Sequence, residues 1–133
     1  MRMLIYGWGQ LAASAIRDLA GGDTEITVLG KERSRLERLS AYPGVTVELL
    51  TEPVMQDYLL EAGISHADAF LALSDDDHEN LLLAQVAKQM FNVPRVVCHV
   101  ENPQLQVLYT ALGLDVVGYS RGILQDIRQV MSA

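Results

Sequence analysis

The first dozen residues, Met1-Arg-Met-Leu-Ile-Tyr-Gly-Trp-Gly-Gln-Leu-Ala12, constrain the fold more than any other stretch. A short apolar run, Met3 to Tyr6, breaks at Gly7-Trp8-Gly9, and a small-residue amphipathic stretch starts at Gln10. This order predicts a strand, a tight glycine turn and a helix whose unpaired N–H groups face the turn. Free amides and the helix dipole both favour an anion there, so the turn is a candidate phosphate site. The spacing G-x-G-x-x-A, with Ala12 at the third small position, matches the dinucleotide fingerprint. Gly7, Trp8, Gly9, Gln10, Leu11 and Ala12 are therefore candidate site residues, with the bulk of Trp8 expected to wall one side.

The rest of the chain supplies the context such a turn needs. Leu11, Ala12, Ala15, Ile16, Leu19 and Ala20 share one face of the first helix, which Gly21-Gly22-Asp23 stops. Glu25 to Leu29, Val45 to Leu49, Ala69 to Leu73, Arg95 to Val100 and Asp115 to Val117 read as further strands. Helices are expected at Glu32 to Tyr42, Met55 to Ala62, Asp77 to Phe91, Pro103 to Leu112 and from Ser120 onward. Ser74-x-x-Asp77 resembles a capping box at the start of the fourth of these six helices. Ala69 to Leu73 is nearly all apolar, as a central parallel strand covered on both faces would be. Six strand–helix alternations predict an α/β fold, a doubly wound parallel six-stranded sheet with helices on both faces. Ligands of such sheets lie beyond the carboxyl ends of the strands, where strand order reverses, and the glycine turn ends the first strand.

The 133 residues suit one domain, a core to about residue 119 and a terminal helix over 120–133. In that helix Ile123, Leu124, Ile127, Val130 and Met131 form an apolar stripe. It either packs on its own domain or makes a dimer or interdomain contact. A net charge of −7 argues against nucleic-acid or anionic-membrane partners. No segment approaches ~18 consecutive apolar residues, so no direct membrane insertion is expected. The N-terminus lacks a signal-peptide pattern. The single Cys98 excludes an internal disulfide, suits a reducing cytoplasm and reads as a small core residue.

Three further constellations border the expected ligand edge. The residue ending the second strand, where a ribose-binding carboxylate usually stands, is Gly30, followed by Lys31, Glu32 and Arg33. Either Lys31 or Arg33 meets an extra phosphate, as in NADP or a polyphosphate nucleotide, or Glu32 reaches back to the ribose, or the segment is a solvated helix start. After the fourth strand, Ser74, Asp75 and Asn80 are candidate nucleotide contacts. The acids between them either complement a helix dipole or hold a divalent cation. His99, near the end of the fifth strand, faces phosphates or is a satisfied strand histidine. Metal binding is not expected. Catalytic residues are not expected either: no G-x-S-x-G elbow or G-x-x-x-x-G-K-[ST] loop occurs, and no residues remain for a substrate domain.

The ordered blocks Glu61-Ala62-Gly63-Ile64, Ala67-Asp68-Ala69, Ser74-Asp75-Asp76-Asp77-x-x-Asn80, Val93-Pro94-Arg95-Val96, Glu101-Asn102-Pro103 and Gly113-Leu114-Asp115-Val116-Val117 follow the N-terminal G-x-G. Together they resemble the TrkA-N domain, the N-terminal lobe of RCK domains (regulators of potassium conductance), over about residues 2–120. The resemblance implies a cytoplasmic Rossmann-type gating lobe that binds NAD(H), ATP, ADP, AMP or a related nucleotide. It also implies a homodimer or ring at the inner face of the membrane, acting on a potassium channel or transporter without turnover. By position, Gly7, Gly9 and Ala12 match the family's phosphate turn, and Ser74, Asp75 and Asn80 its segment after the fourth strand. Three ligand-side positions depart from it: the acid after the second strand is Gly30, the Gly-Asp pair after the third is Thr51-Glu52, and a fifth-strand arginine is His99. A small NAD(P)-dependent oxidoreductase and a lobe that only oligomerises are the alternative readings.

Overall fold

A computed structural model describes residues 1–51 and 55–132, and of 55, 56 and 120–126 the backbone alone. The apolar runs form six strands: β1 (Arg2–Tyr6), β2 (Glu25–Gly30), β3 (Val45–Leu49), β4 (Ala69–Ala72), β5 (Arg95–His99) and β6 (Asp115–Val117). The amphipathic stretches form α1 (Gln10–Leu19), α2 (Arg33–Leu39), α3 (Met55–Glu61), α4 (Asp77–Gln89), α5 (Pro103–Ala111) and α6 (Tyr119–Ser132). A short 3-10 turn, Ile64–His66, precedes β4. The strands lie in the order β3-β2-β1-β4-β5-β6, with every pairing parallel. This is the doubly wound sheet that the alternation predicts. Strand order reverses between β1 and β4, and a cleft opens beyond their carboxyl ends.

Side-chain alternation along β1 divides the core into two layers. Met3 and Ile5 join Ala12 and Ile16 of α1 and Leu36 and Leu39 of α2. Leu4 and Tyr6 join Leu59 of α3 and Leu81 and Ala84 of α4. Leu4, Ile5 and Tyr6 are at most 1% exposed, so an unbroken apolar run is what a strand covered on both faces demands.

One local expectation is corrected, at the start of α4. The N-cap of α4 is Asp76, whose carboxylate accepts the Glu79 N–H at 3.0 Å. Ser74 lies two residues before the cap, and its hydroxyl turns instead to Asn80. On α1 only Ala12 and Ile16 of the stripe are fully buried, and Leu19 in the last turn is 40% exposed. On α6, Ile127, Val130 and Met131 are exposed. The side chains of Ile123 and Leu124 lie outside the described residues.

Cys98 is a core residue of β5, as its lone apolar setting suggests, and burial with the nearby Asp77 charge pushes its thiol up to about 12. The unfolded chain releases this proton at an ordinary thiol pKa of about 8.5. The buried thiol therefore contributes stability that is whole below that value and is lost as pH rises towards the folded one. Urea denaturation across this alkaline window should show falling stability, with a shallower fall in Cys98→Ala. An unchanged slope would contradict the assignment.

Candidate functional site

The glycine turn is built by backbone contact. Gly7 has φ +153, its N–H donates to the Leu29 carbonyl at 3.0 Å, and a Cβ there would meet the Leu73 carbonyl carbon and oxygen at 2.9 Å. Only glycine lets the chain leave β1 so close to the end of β4. Gly9, the N-cap of α1, is different: the nearest atom to a Cβ built there is Arg35 Nη1, at 3.8 Å. Packing within the chain does not demand a glycine at 9, so its missing side chain leaves open space against the turn. The N-terminus of α1 has no side-chain cap and no acid in its first turn. The N-termini of α4 and α5 at the same cleft are capped by Asp76 and Asn102. The α1 amides are thus the uncompensated positive pole of the site.

Trp8 fills the place over the end of β2. A Cβ on Gly30 would come within 2.8 Å of Leu36 Cδ2 and 3.0 Å of Trp8 Cβ. A side chain at this position would press on Leu36 and Trp8, so a ribose carboxylate here would require both to shift. The Trp8 ring meets the Tyr6 ring edge to face at 5.6 Å, and Lys31 Nζ lies 6.0 Å from its centroid. Lys31 also pairs with Glu79 Oε1 at 2.9 Å, while Tyr6 donates its hydroxyl to Glu79 Oε2 at 2.5 Å. Burial and the Glu79 carboxylate raise the Tyr6 pKa, which keeps that hydroxyl a donor.

Beyond β4 the polar groups are bound to one another. Asn80, 0% exposed, accepts from the Ser74 N–H and hydroxyl through Oδ1 and donates through Nδ2 to the carbonyls of Ser74 and His99. Its amide ties the carboxyl ends of β4 and β5 and does not reach the cleft. Asp77 accepts the N–H groups of Glu101 and Asn102, both at 3.0 Å. His99 is buried, with Nδ1 3.2 Å from the Ser74 carbonyl and Nε2 3.0 Å from Glu101 Oε1.

Trp8 and Gly9 separate two cavities of opposite charge. The larger, about 670 Å³, is lined by Asp75, Asp76, Asp77, Glu79 and Glu101, with Lys31 the cation among them. The smaller, about 280 Å³, lies between α1 and α2 and is lined by Arg17, Arg35 and Arg38 with Gln10, Ala13 and Leu39. A third, of about 160 Å³, lies among Leu11, His99, Val117, Gly118 and Tyr119.

Of the residues singled out in the sequence, Trp8, Gly9, Lys31, Ser74 and Asp75 line the large cavity. Gln10 opens on the basic one, and Leu11 and His99 on the third. Gly7 and Gly30 are packed into the turn, and Ala12 is fully buried beneath it. Glu32 is the N-cap residue of α2, and its carboxylate pairs with Arg35 Nε at 3.3 Å rather than reaching the cleft. Arg33 lines neither of the cavities that flank Trp8. Thr51 bonds the Tyr58 hydroxyl at 3.2 Å, and Glu52 lies outside the described residues. Among the described residues no three His, Cys, Asp or Glu side chains converge as a metal site. Sequence reading missed Glu79, Arg17, Arg35 and Arg38. The pair 35 and 38 has helical spacing, but only the packing of α1 against α2 brings Arg17 to them.

The two glycines should separate in mutagenesis. Gly7→Ala should cost roughly 2–3 kcal/mol in urea denaturation, through its positive φ and the Leu73 contact. Gly9→Ala, with open space above it, should cost no more than about 1 kcal/mol, the price of a poorer N-cap. Equal losses would refute the different roles.

Residues 3–120 match the TrkA-N domain family. The chain is 31% identical over 122 residues to the Trk system potassium uptake protein TrkA of Streptomyces coelicolor, covering 91% of this chain and 54% of that protein. It therefore spans about half the length of this relative. The fold is similar to the TrkA-N domain of the inner membrane protein ybaL from Escherichia coli, at TM-score 0.82 and 17% identity, covering 97% of this chain and 95% of that one. It is also similar to the AMP-bound Kef C-terminal domain of Shewanella denitrificans, at TM-score 0.77 and 16% identity, covering 98% and 80%. With the parallel sheet, the glycine turn and this match over nearly the entire sequence, the chain belongs to the TrkA-N domain family.

Proposed function

We propose that the chain is a nucleotide-binding regulatory lobe of a potassium uptake or channel system, acting by conformational bias and without catalysis. The observation that carries the reading is the open, uncapped N-terminus of α1 behind Gly9, at the reversal of strand order. A nucleotide phosphate is held there by the α1 amides. The surrounding carboxylates favour sensing over turnover: Asp76 caps α4, Asp77 holds the α5 loop, and Glu79 is shared by Tyr6 and Lys31. A ligand over the turn meets Trp8 and Lys31, and through Lys31 the first turn of α4. Differential affinity for two arrangements of that link is what regulation requires.

In this reading residues 1–133 form one lobe, with a core to about 119. The exposed Ile127, Val130 and Met131 of α6 meet a second copy or a partner lobe, in a dimer or ring at the cytoplasmic face of the membrane. The AMP held by the Kef domain supports an adenine nucleotide, and NAD(H), ATP and ADP share the phosphate chemistry.

Thermal shift with AMP, ADP, ATP, NAD, NADH and NADP tests the reading. Ligand at about a hundredfold its Kd adds roughly 2.7 kcal/mol, several degrees in Tm. Gly9→Val, which fills the open space, should abolish the shift. No stabilisation by any nucleotide would leave only an oligomerisation role, and hydride transfer to a carbonyl substrate would make the lobe an enzyme.

A further inference from the structure

The Trp8 divide leaves a question of charge. A phosphate-bearing ligand at the glycine turn has five carboxylates on one side and three arginines on the other. Coulombic repulsion on the first side and attraction on the second direct its charge into the cleft between α1 and α2. Arg35 Nη1 stands 3.8 Å from the position of a Gly9 Cβ, so its guanidinium already overhangs the turn. Arg38 lies one helical turn further along α2, and Arg17 faces it from α1. Glu32 already pairs with Arg35 Nε at 3.3 Å, an anion that competes for that guanidinium. Guanidinium forks suit phosphate oxygens, and the cleft of about 280 Å³ has room for a phosphate group.

We infer that this arginine cleft binds a second phosphate of the nucleotide held at the glycine turn, making the lobe selective for ligands with more phosphate than AMP or NAD carries at that point. The inference rests on the nucleotide reading of the turn. The shared chemistry is a phosphate dianion, either the terminal group of ADP or ATP or the ribose 2′-phosphate of NADP. Lys31, the nearer cation by sequence, is turned to the other side and engaged with Glu79.

Isothermal titration of the full chain with the pairs ATP/AMP and NADP/NAD tests it at constant ionic strength. The wild type should favour the more phosphorylated member of one pair by about tenfold, as expected for a charge-assisted contact. Which pair shows the preference identifies the source of the phosphate. Arg35→Gln/Arg38→Gln should remove the preference, weakening the more phosphorylated ligand by a clearly larger factor than AMP or NAD. Glu32→Gln, which removes the competing anion and keeps both arginines, should strengthen binding of the preferred ligand. Equal affinities within both pairs, a preference that survives the double substitution, or weaker binding by Glu32→Gln would overturn the cleft. AMP or NAD binding with no preference overturns the cleft alone, whereas a wild type that binds no nucleotide overturns the parent reading too.

Discussion

The site depends on one buried amide. Parallel strands end without covalent links to their neighbours, so something must hold their carboxyl ends in place around a cleft. Asn80 does this for β4 and β5, with four hydrogen bonds to Ser74 and His99 and no exposure. An unsatisfied amide at this depth is costly, so the network is kept whole or not formed. The rest of the first turn of α4 works alongside it. Asp76 closes the helix end, Asp77 fixes the start of α5, and Glu79 reaches Tyr6 on β1 and Lys31 after β2. One helical turn thereby ties together the ends of four strands around the cleft.

Charge is sorted around these ties. With a net charge of −7, an average surface would repel phosphate. Instead the acids that organise α4 face one side of Trp8, and the arginines of α1 and α2 face the other. The wall between them rests on an exchange of volumes, in which Gly30 gives up its side chain and Trp8 with Leu36 takes the space. The loss of a carboxylate after β2 and the bulk of residue 8 are thus one structural fact.

The fold was legible because its signals are local and repeated. Short β-branched or apolar runs such as Val45 to Leu49, punctuated by glycine and proline, mark strands that the sheet then pairs. The glycine turn was legible in the same way, as a spacing. What escaped was everything set by direction across elements. Nothing in Ser74-x-x-Asp77 distinguishes a cap from a hydroxyl aimed at Asn80 six residues on. Glu79 sits within an acidic run, and its reach to Tyr6 spans 73 positions. Lys31 and Arg33 are adjacent to Gly30 in sequence, yet helix rotation brings Arg35 and Arg38 to the turn instead.

Trp8 is the only tryptophan of the chain, and it stands on the boundary between the two cavities, with an ammonium near its ring and a phenol ring packed at right angles to it. Indole emission responds to nearby charge and to exclusion of water. The wall of the binding site is therefore also a built-in optical probe of whichever side is occupied. In a larger assembly without other tryptophans, the lobe would report its own ligation state without a label.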